Sequence, residues 1–300
     1  IGVWQRNINR GIKVCESLNE LEGDQVYGEV EPQKSAFRGM EIAGKTLAVI
    51  GLGQIGVRLA NGGVHRFMKV IGFDTNPVLS KIYFVLPDFD LVNSLDDAIV
   101  KADIVRLHVR IVEKTRNLVN SECISRLKKG ALLVNYARVG IVEQGAVLEA
   151  LDSGRLKGYI ADFPTEALIG HDRVLLTPHL GASTSESEEN CVMMAVCEMS
   201  NYLLYGNINN CVNFPNIEII PSDLFRTRLI VINRDVPGMI AFITNVLGDN
   251  RINIDSYKNE SNGTIGYNII DMEADVPDTI VDLIKANDDV IRTRVIPFSR

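Results

Sequence analysis

Short runs of Val, Ile and Leu, separated by helical patterns across residues 44–182, most strongly limit what this chain can fold into. Each run is nearly continuous in apolar residues, as strands buried on both faces are. Strand–helix alternation of this kind builds a parallel sheet with helices on both sides. We therefore predict a doubly wound α/β sheet. Its strand candidates are TLAVI (46–50), VIGFD (70–74), DIVRLHV (103–109), ALLVNYA (131–137), GYIADF (158–163) and RVLLTP (173–178).

Helix signals lie between and after these runs. Ser94 precedes LDDAIVKA, and Ser121 precedes ECISRLKKG, whose helix is expected to end at Gly130. Residues 183–206 predict a long helix that stops at Gly206, with its Met and Tyr side chains forming a packing surface. Before Thr46 no strand is predicted; residues 9–24 permit a helix, and residues 28–44 predict an irregular connection.

The pattern changes after an Asn- and Pro-rich stretch over residues 207–222, which predicts a linker. A strand, a helix, two strands paired around residues 261–263, a second helix and a final strand follow. That order is typical of a small ferredoxin-like α+β domain. The expected domains are residues 1–40 (a connecting helix and irregular segment), 41–182 (nucleotide-binding), 183–222 (return helix and linker) and 223–300.

Composition and charge exclude several classes of protein. The chain is 46% hydrophobic and 23% charged, as globular proteins are, and a formal net charge of −7 argues against a nucleic-acid partner. No apolar run approaches the ~20 residues of a membrane span. Five scattered cysteines indicate reduced thiols in the cytoplasm and no metal site. The first residues lack both a secretory signal and an initiator Met, so we expect the chain to start inside a longer protein.

The sequence VIGLGQIG (49–56) places three glycines between a predicted strand and a predicted helix. Such glycines allow a tight turn and close approach of the backbone to a pyrophosphate, which the helix N-terminus then binds. An acid ends the next strand and can bind ribose hydroxyls. Thr75 and Asn76 follow it with no Arg for a 2′-phosphate, which favours NAD as the cofactor. Glycines that serve only helix–strand packing remain the alternative. The predicted cofactor-binding residues here are Gly51, Gly53, Gln54, Ile55, Gly56 and Asp74.

Three ionisable residues follow predicted strands at their carboxyl ends, where parallel sheets bind ligands. They are Arg138, Glu166 and His179, the last within TPHLGAST, where small residues leave room around the imidazole. A neutral imidazole can take the proton of a hydroxyl group, and a carboxylate can orient the ring. An arginine can bind a substrate carboxylate. A structural role for His179 is the alternative reading of this stretch.

From about residue 40 onward the chain resembles the D-2-hydroxyacid dehydrogenases. The resemblance rests on GKTLAVIGLGQIG, DIVRLHV, LKKGALLVNYARVGIV, IADFPTEALIGHDRVLLTPHLGAST and CVNFP, in that order. It implies that Arg138 orients the substrate and that Glu166 and His179 form the acid/base pair. It also implies that Tyr136 and Asp162 line the nicotinamide end and that His108 lines the cofactor cleft, although a buried structural histidine is the alternative for His108. Within the family, the chain is most similar to members that act on 3-phosphoglycerate.

The C-terminal region resembles the ACT regulatory module, which binds an amino-acid effector, usually L-serine. The resemblance implies effector-binding roles for Asn233, Asp235 and Asn253. Because such modules commonly pair side by side around their effectors, it also implies a homo-oligomer, either a dimer or a tetramer.

The resemblance further implies that most of the family's substrate lobe lies before the first residue of this chain, with residues 1–40 as its remnant. Three functions therefore stay open. The first is NAD-dependent oxidation of 3-phosphoglycerate to 3-phosphohydroxypyruvate in serine biosynthesis. The second is the same reaction on another D-2-hydroxy acid, and the third is a non-catalytic protein that binds a nucleotide and an amino acid.

Overall fold

The protein is represented by a computed structural model that describes residues 1–77, 88–220 and 225–298. The chain divides into two compact units, Ile1–Gly181 and Ala182–Arg300.

A parallel sheet of seven strands forms the centre of the first unit. The strands lie in the order β3-β2-β1-β4-β5-β6-β7, so the chain winds outward from β1 in both directions. This order confirms the predicted doubly wound α/β fold. The bounds are β1 Thr46–Ile50, β2 Lys69–Phe73, β3 Phe89–Leu91, β4 Ile104–Leu107, β5 Ala131–Asn135, β6 Leu156–Ala161 and β7 Val174–Leu176.

Both faces of this sheet are buried, which explains the continuous apolar runs. Side chains alternate between faces along a strand. Ala48 and Ile50 of β1 accordingly join one apolar core, whereas Leu47 and Val49 join the other. The helices between the strands are α4 Gln54–Val64, α5 Leu95–Ile99, α6 Ser121–Arg126 and α7 Gln144–Asp152.

The start and end of α6 differ from the prediction. The cap is Asn120, whose Oδ1 accepts a hydrogen bond from the Cys123 N–H at 2.9 Å, so Ser121 is the first helical residue. The helix also ends before Gly130, because Leu127 leaves the helical conformation and buries its side chain. At Ser94 the predicted cap is confirmed, since its Oγ accepts from the Asp97 N–H.

The first 40 residues are more helical than predicted. They form α1 Gly2–Gln5, α2 Ile8–Glu16 and α3 Asp24–Gln33, followed by one 3₁₀ turn, Lys34–Phe37. The prediction of an irregular segment from Gly28 onward is therefore wrong as far as Phe37. Pro32 lies near the end of α3, where its missing N–H removes one helical hydrogen bond. In the described residues before Thr46 there is no strand, as predicted.

The second unit begins with a long helix, α8 Ser185–Tyr205. Thr184 caps it by accepting a hydrogen bond from the Ser187 N–H, and Gly206 ends it in the left-handed conformation, as predicted. No residue of α8 is buried. Of the Met and Tyr side chains predicted to form a packing surface, Met193, Met194 and Met199 are exposed. Apolar neighbours in the same helix are exposed as well, namely Val192, Val196, Leu203 and Leu204.

An antiparallel sheet in the order β11-β8-β10-β9 completes this unit. The two helices between its strands give the predicted ferredoxin-like order. Gly263 forms the β9–β10 turn with a φ of 86°. The bounds are β8 Thr227–Arg234, α9 Met239–Asp249, β9 Ser256–Ser261, β10 Ile265–Met272, α10 Asp278–Lys285 and β11 Val290–Pro297.

The described part of the predicted linker, residues 207–220, packs into the second unit, whereas residues 221–222 lie outside the described residues. Ile208 and Ile217 form a β-bridge with each other and are buried in one of the unit's cores. Arg228, which is fully buried, forms an ion pair with Asp271 at 2.6 Å and donates hydrogen bonds to the Tyr205 and Ile219 carbonyl groups. The end of α8 is thus attached to the antiparallel sheet.

Candidate active site

The three glycines after β1 differ in what surrounds them. Gly51 has a φ of 97°, and a side chain there would meet the His108 carbonyl oxygen. A Cβ at Gly56 would lie 1.9 Å from the Gly51 carbonyl oxygen, so only glycine fits. Gly53, at the start of α4, faces open space. The next two residues, Gln54 and Ile55, are exposed, which leaves the N-terminus of α4 accessible to an anion.

Asp74 follows β2 and is half-buried against this turn. Its Oδ2 accepts a hydrogen bond from the Leu52 N–H at 2.7 Å, and its Oδ1 accepts one from the Asn76 N–H at 2.9 Å. The carboxylate therefore holds the glycine turn in place. Because each carboxylate oxygen can accept a second hydrogen bond, Asp74 can still bind ribose hydroxyls.

The predicted catalytic residues follow three neighbouring strands of the sheet. Arg138 follows β5, Glu166 follows β6 and His179 follows β7, and all three are exposed. The imidazole of His179 contacts the Phe163 ring edge-on, with 4.8 Å between ring centroids. Within the described residues, neither Glu166 nor His179 forms a hydrogen bond or an ion pair, so the predicted pairing is not formed in this structure.

The loop that carries Arg138 is held by Asn135, a residue that the sequence analysis missed. Asn135 is 1% exposed. Its Oδ1 accepts a hydrogen bond from the Ala137 N–H, and its Nδ2 donates to the Arg138 carbonyl oxygen at 2.9 Å. A single amide at the end of an otherwise apolar strand was the signal that could have identified it.

The loop that carries Glu166 has two anchors. Leu168 is buried in the core of the unit. Gln144, the first residue of α7, donates a hydrogen bond from its Nε2 to the Thr165 Oγ1 at 2.7 Å. These contacts fix the backbone on both sides of Glu166 and leave its carboxylate free to meet a ligand.

Four polar side chains lie together at the carboxyl ends of β4, β5 and β6, and we call them the β4–β6 cluster: Arg106, His108, Tyr136 and Asp162. The Arg106 guanidinium lies over the Tyr136 ring, 5.0 Å from its centroid. Three atoms of the cluster are buried without a hydrogen-bond partner: Arg106 Nε, His108 Nε2 and Asp162 Oδ1. Buried polar atoms in proteins are nearly always paired, so this concentration points to a ligand.

Burial controls the charges of the cluster. It lowers the pKa of His108 to about 4, with the Arg106 charge as the smaller cause, so the imidazole is neutral at neutral pH. Burial also lowers the pKa of Arg106, whereas Tyr136 and Asp162 oppose that shift.

A cleft of about 790 Å³ lies between α2 and the loops that follow β6 and β7. Pro164 and Pro178 line it on the loop side, next to the regions of Glu166 and His179. Arg10 and Lys13 of α2 line it on the other side. Asp172 also lines the cleft, so two cations face one anion there and the lining keeps a net positive charge. The cleft is therefore suited to a small anionic ligand. In the described residues there is no helix that could cross a membrane and no group of side chains suited to a metal ion.

The predicted effector residues do not meet within one chain. Asp235 follows β8, at the end of the sheet where its carboxylate accepts a hydrogen bond from Ser261. Asn253 precedes β9 at the opposite end, about 20 Å away by the rise of six strand residues. Asn233 is 2% exposed, accepts a hydrogen bond from the Asn268 Nδ2 and donates one to the Arg234 carbonyl oxygen.

Residues 11–181, more than half of the chain, match the NAD-binding domain of the D-isomer specific 2-hydroxyacid dehydrogenases. The chain belongs to this family. The D-3-phosphoglycerate dehydrogenase of Haemophilus influenzae is 32% identical over 274 residues, which cover 88% of this chain and 65% of the relative. The enzyme of the same name from Methanocaldococcus jannaschii is 36% identical over 217 residues, covering 70% and 41% of the two chains.

The D-lactate dehydrogenase of Aquifex aeolicus, solved with NAD and lactic acid, matches with a TM-score of 0.54 and 25% identity. The match covers 67% of this chain and 62% of that one. The chain spans slightly less than two thirds of the length of the first relatives it matches. The match to the Haemophilus influenzae enzyme covers 88% of this chain, which is more than the first unit, Ile1–Gly181, contains. The similarity therefore continues into the second unit.

The first unit fits the cofactor of this family. The glycine turn leaves open space at the N-terminus of α4, where a pyrophosphate is expected. The β4–β6 cluster presents an unpaired donor and an unpaired acceptor, as recognition of a carboxamide requires. NAD, when bound, supplies a hydride acceptor.

Proposed function

We propose that the protein oxidises a D-2-hydroxy acid with NAD, and that its substrate is D-3-phosphoglycerate, which becomes 3-phosphohydroxypyruvate. The observation that carries the proposal is the placement of Arg138, Glu166 and His179 after three adjacent strands, beside the β4–β6 cluster. Relatives named D-3-phosphoglycerate dehydrogenase, whose similarity continues into the second unit, support the choice of substrate.

In the proposed reaction, each of the three residues acts on one part of the substrate. The Arg138 guanidinium binds the carboxylate beside the reacting carbon. The imidazole of His179 takes the hydroxyl proton as the hydride leaves that carbon. Glu166 pairs with the protonated imidazole and stabilises its charge, which requires the two side chains to approach each other when substrate binds.

The cleft beside His179 supports a phosphorylated substrate. Arg10 and Lys13 line it, and in the described residues neither side chain has an acidic partner. A phosphate group carries more negative charge than a carboxylate and attracts such cations more strongly. We therefore assign the phosphate end of the substrate to this cleft.

The test replaces the acid and the base separately. His179→Gln is expected to lower turnover about 10²–10⁴-fold, the usual contribution of proton transfer, with NAD affinity retained. Glu166→Gln is expected to move the acidic limb of the pH–rate profile to lower pH, because the imidazolium loses a neighbouring anion. Steady-state kinetics and dinucleotide titrations measure both. An unchanged pH profile for Glu166→Gln contradicts the pairing.

A non-catalytic binding protein is the second candidate. Glu166 and His179 are both exposed and form no hydrogen bond or ion pair with each other in the described residues, which favours this candidate. Dinucleotide binding without oxidation of D-3-phosphoglycerate or of any other D-2-hydroxy acid supports this candidate. If the chain oxidises a different D-2-hydroxy acid and not D-3-phosphoglycerate, the proposed reaction stands and only the proposed substrate is wrong.

We further propose that the second unit is an ACT-like regulatory module that binds a small amino acid, with L-serine as the first choice, and that the chain forms a homo-oligomer. The βαββαβ order and the exposed Asp235 and Asn253 support the effector. The exposed apolar side chains of α8 support self-association, since patches of this kind often lie in interfaces. All five cysteines are free, which supports a cytoplasmic location.

A further inference from the structure

Arg106 is an unusual residue for its position. It lies in β4 with Val49 and Val134 as its strand neighbours, inside an otherwise apolar part of the sheet. In the described residues its guanidinium makes no hydrogen bond and no ion pair, and its Nε is buried without a partner. Arg106 is half-buried, and holding even part of a cation out of water without such partners is costly. Stability of the sheet therefore does not explain Arg106.

The neighbours of Arg106 belong to the β4–β6 cluster. Asp162 is 8% exposed, and its Oδ1 has no partner. Tyr136 and Asp162 act electrostatically on Arg106. The guanidinium stacks on Tyr136 and leaves the Asp162 carboxylate unbonded, so the cluster combines one positive and one negative charge while keeping donors and acceptors free.

The two charges of the cluster act on a nicotinamide ring, because that ring carries a positive charge when oxidised and none when reduced. Asp162 alone attracts the oxidised ring, and Arg106 offsets that attraction. We propose that Arg106 sets the preference of this site between the oxidised and reduced cofactor, reducing the advantage that Asp162 gives to NAD⁺. The inference rests on the proposed function, because it assigns the nicotinamide to this cluster.

The experiment measures the dissociation constants of NAD⁺ and NADH for the full chain by titration calorimetry. Arg106→Met removes the charge with little change of volume, and Arg106→Lys keeps the charge as the matched control. A unit charge acting over about 10 Å at an effective dielectric constant of ~20 changes relative affinity by roughly tenfold. Arg106→Met is therefore expected to shift the NADH/NAD⁺ preference roughly tenfold toward NAD⁺. Arg106→Lys is expected to stay near the wild-type preference.

A second readout needs no cofactor. Arg106 contributes to the lowered pKa of His108. In NMR titrations, with His108→Gln used to assign the resonance, Arg106→Met is expected to raise that pKa and Arg106→Lys to leave it in place. A structural role in packing would not separate the two variants in this way.

Equal weakening of both dinucleotides in Arg106→Met, or an unchanged preference, overturns the inference. If the wild-type chain binds neither dinucleotide, the proposed function fails, and with it the assignment of Arg106 to a cofactor site. In that case a raised pKa of His108 in Arg106→Met still supports the electrostatic role of Arg106. An unchanged pKa of His108 in this variant overturns that role as well. If Arg106→Met does not fold, Arg106→Gln replaces it in both measurements.

Discussion

At the scale of single residues, Asp74 combines a structural and a binding role. Its carboxylate accepts a hydrogen bond from the Leu52 N–H in the glycine turn, in addition to its proposed contact with the ribose. Replacement by Ala removes the bond and the charge together, whereas Asn keeps an acceptor for the Leu52 N–H and removes only the charge. The pair of variants therefore separates the two roles.

We expect Asp74→Asn to lose discrimination against the 2′-phosphorylated dinucleotide, because a neutral amide no longer repels the phosphate. Asp74→Ala should lose the same discrimination and bind NAD more weakly still, by up to about 1.5–3 kcal/mol for a charged hydrogen bond. Fluorescence titrations with both dinucleotides measure this. Equal loss of affinity for both dinucleotides in Asp74→Asn contradicts the ribose assignment.

His108 predicts a pH dependence of stability. Its pKa is lowered to about 4 in the folded chain, first by burial and then by Arg106, below the value of about 6.5 for an exposed histidine. The unfolded chain therefore binds more protons between these values, and the stability due to neutral His108 is present above pH 6.5 and lost as the pH falls toward 4.

Between pH 7 and pH 5 this effect amounts to about 2 kcal/mol. His108→Gln should remove that part of the pH dependence, as urea unfolding of both chains at the two pH values would show. Other carboxylates and histidines contribute equally to both chains, so the difference between them isolates His108. If the wild type and His108→Gln lose equal stability between pH 7 and pH 5, His108 is not held neutral by burial in the folded chain.

At the scale of elements, Asn135 connects β5 to the loop that carries Arg138. It is 1% exposed, and its amide bonds to the Ala137 N–H and the Arg138 carbonyl oxygen. Asn135→Leu leaves these buried backbone groups unpaired, which should cost about 1–3 kcal/mol each where water cannot replace the bond. Because Arg138 loses its fixed backbone, the KM for the substrate should rise more than the Kd for NAD.

Thermal unfolding and kinetics of Asn135→Leu test both effects. Gln144→Leu is a matched control, because it breaks the bond to Thr165 in the loop of Glu166 and leaves the loop of Arg138 intact. A lower melting temperature of Asn135→Leu with an unchanged KM for the substrate would show that Asn135 stabilises the fold without positioning Arg138.

The helices and strands differ in how strong a signal they leave in the local sequence. The strands of the central sheet were found from their apolar runs, since burial on both faces leaves a strong local signal. β3, with only three residues, leaves no such signal, and α3 was missed because Gly28 and Pro32 favour irregular structure over residues that nonetheless form a helix. Asn135 and Arg106 were missed as site residues because their roles depend on neighbours on other strands, which no local pattern reveals.

At the scale of the whole molecule, the second unit constrains how an effector could bind. Asp235 and Asn253 lie at opposite ends of one antiparallel sheet, about 20 Å apart, so one chain cannot use both on one small amino acid. If both residues bind the effector, as we propose, each site combines Asp235 from one copy with Asn253 from another. Effector binding and self-association are then thermodynamically linked.

Mixing two variants tests this arrangement. Asp235→Ala and Asn253→Ala should each abolish binding of L-serine, because every site in either homo-oligomer lacks one residue. In a mixed dimer one of the two sites contains both native residues and the other contains neither, so binding should return after the two chains are unfolded and refolded together. Calorimetry with L-serine, before and after mixing, measures the recovery. Full-length chains are needed, because Arg228 attaches α8 to the sheet that carries both residues. Binding that persists in either variant alone would place the effector elsewhere, and a mixture that stays silent would contradict a site shared between copies.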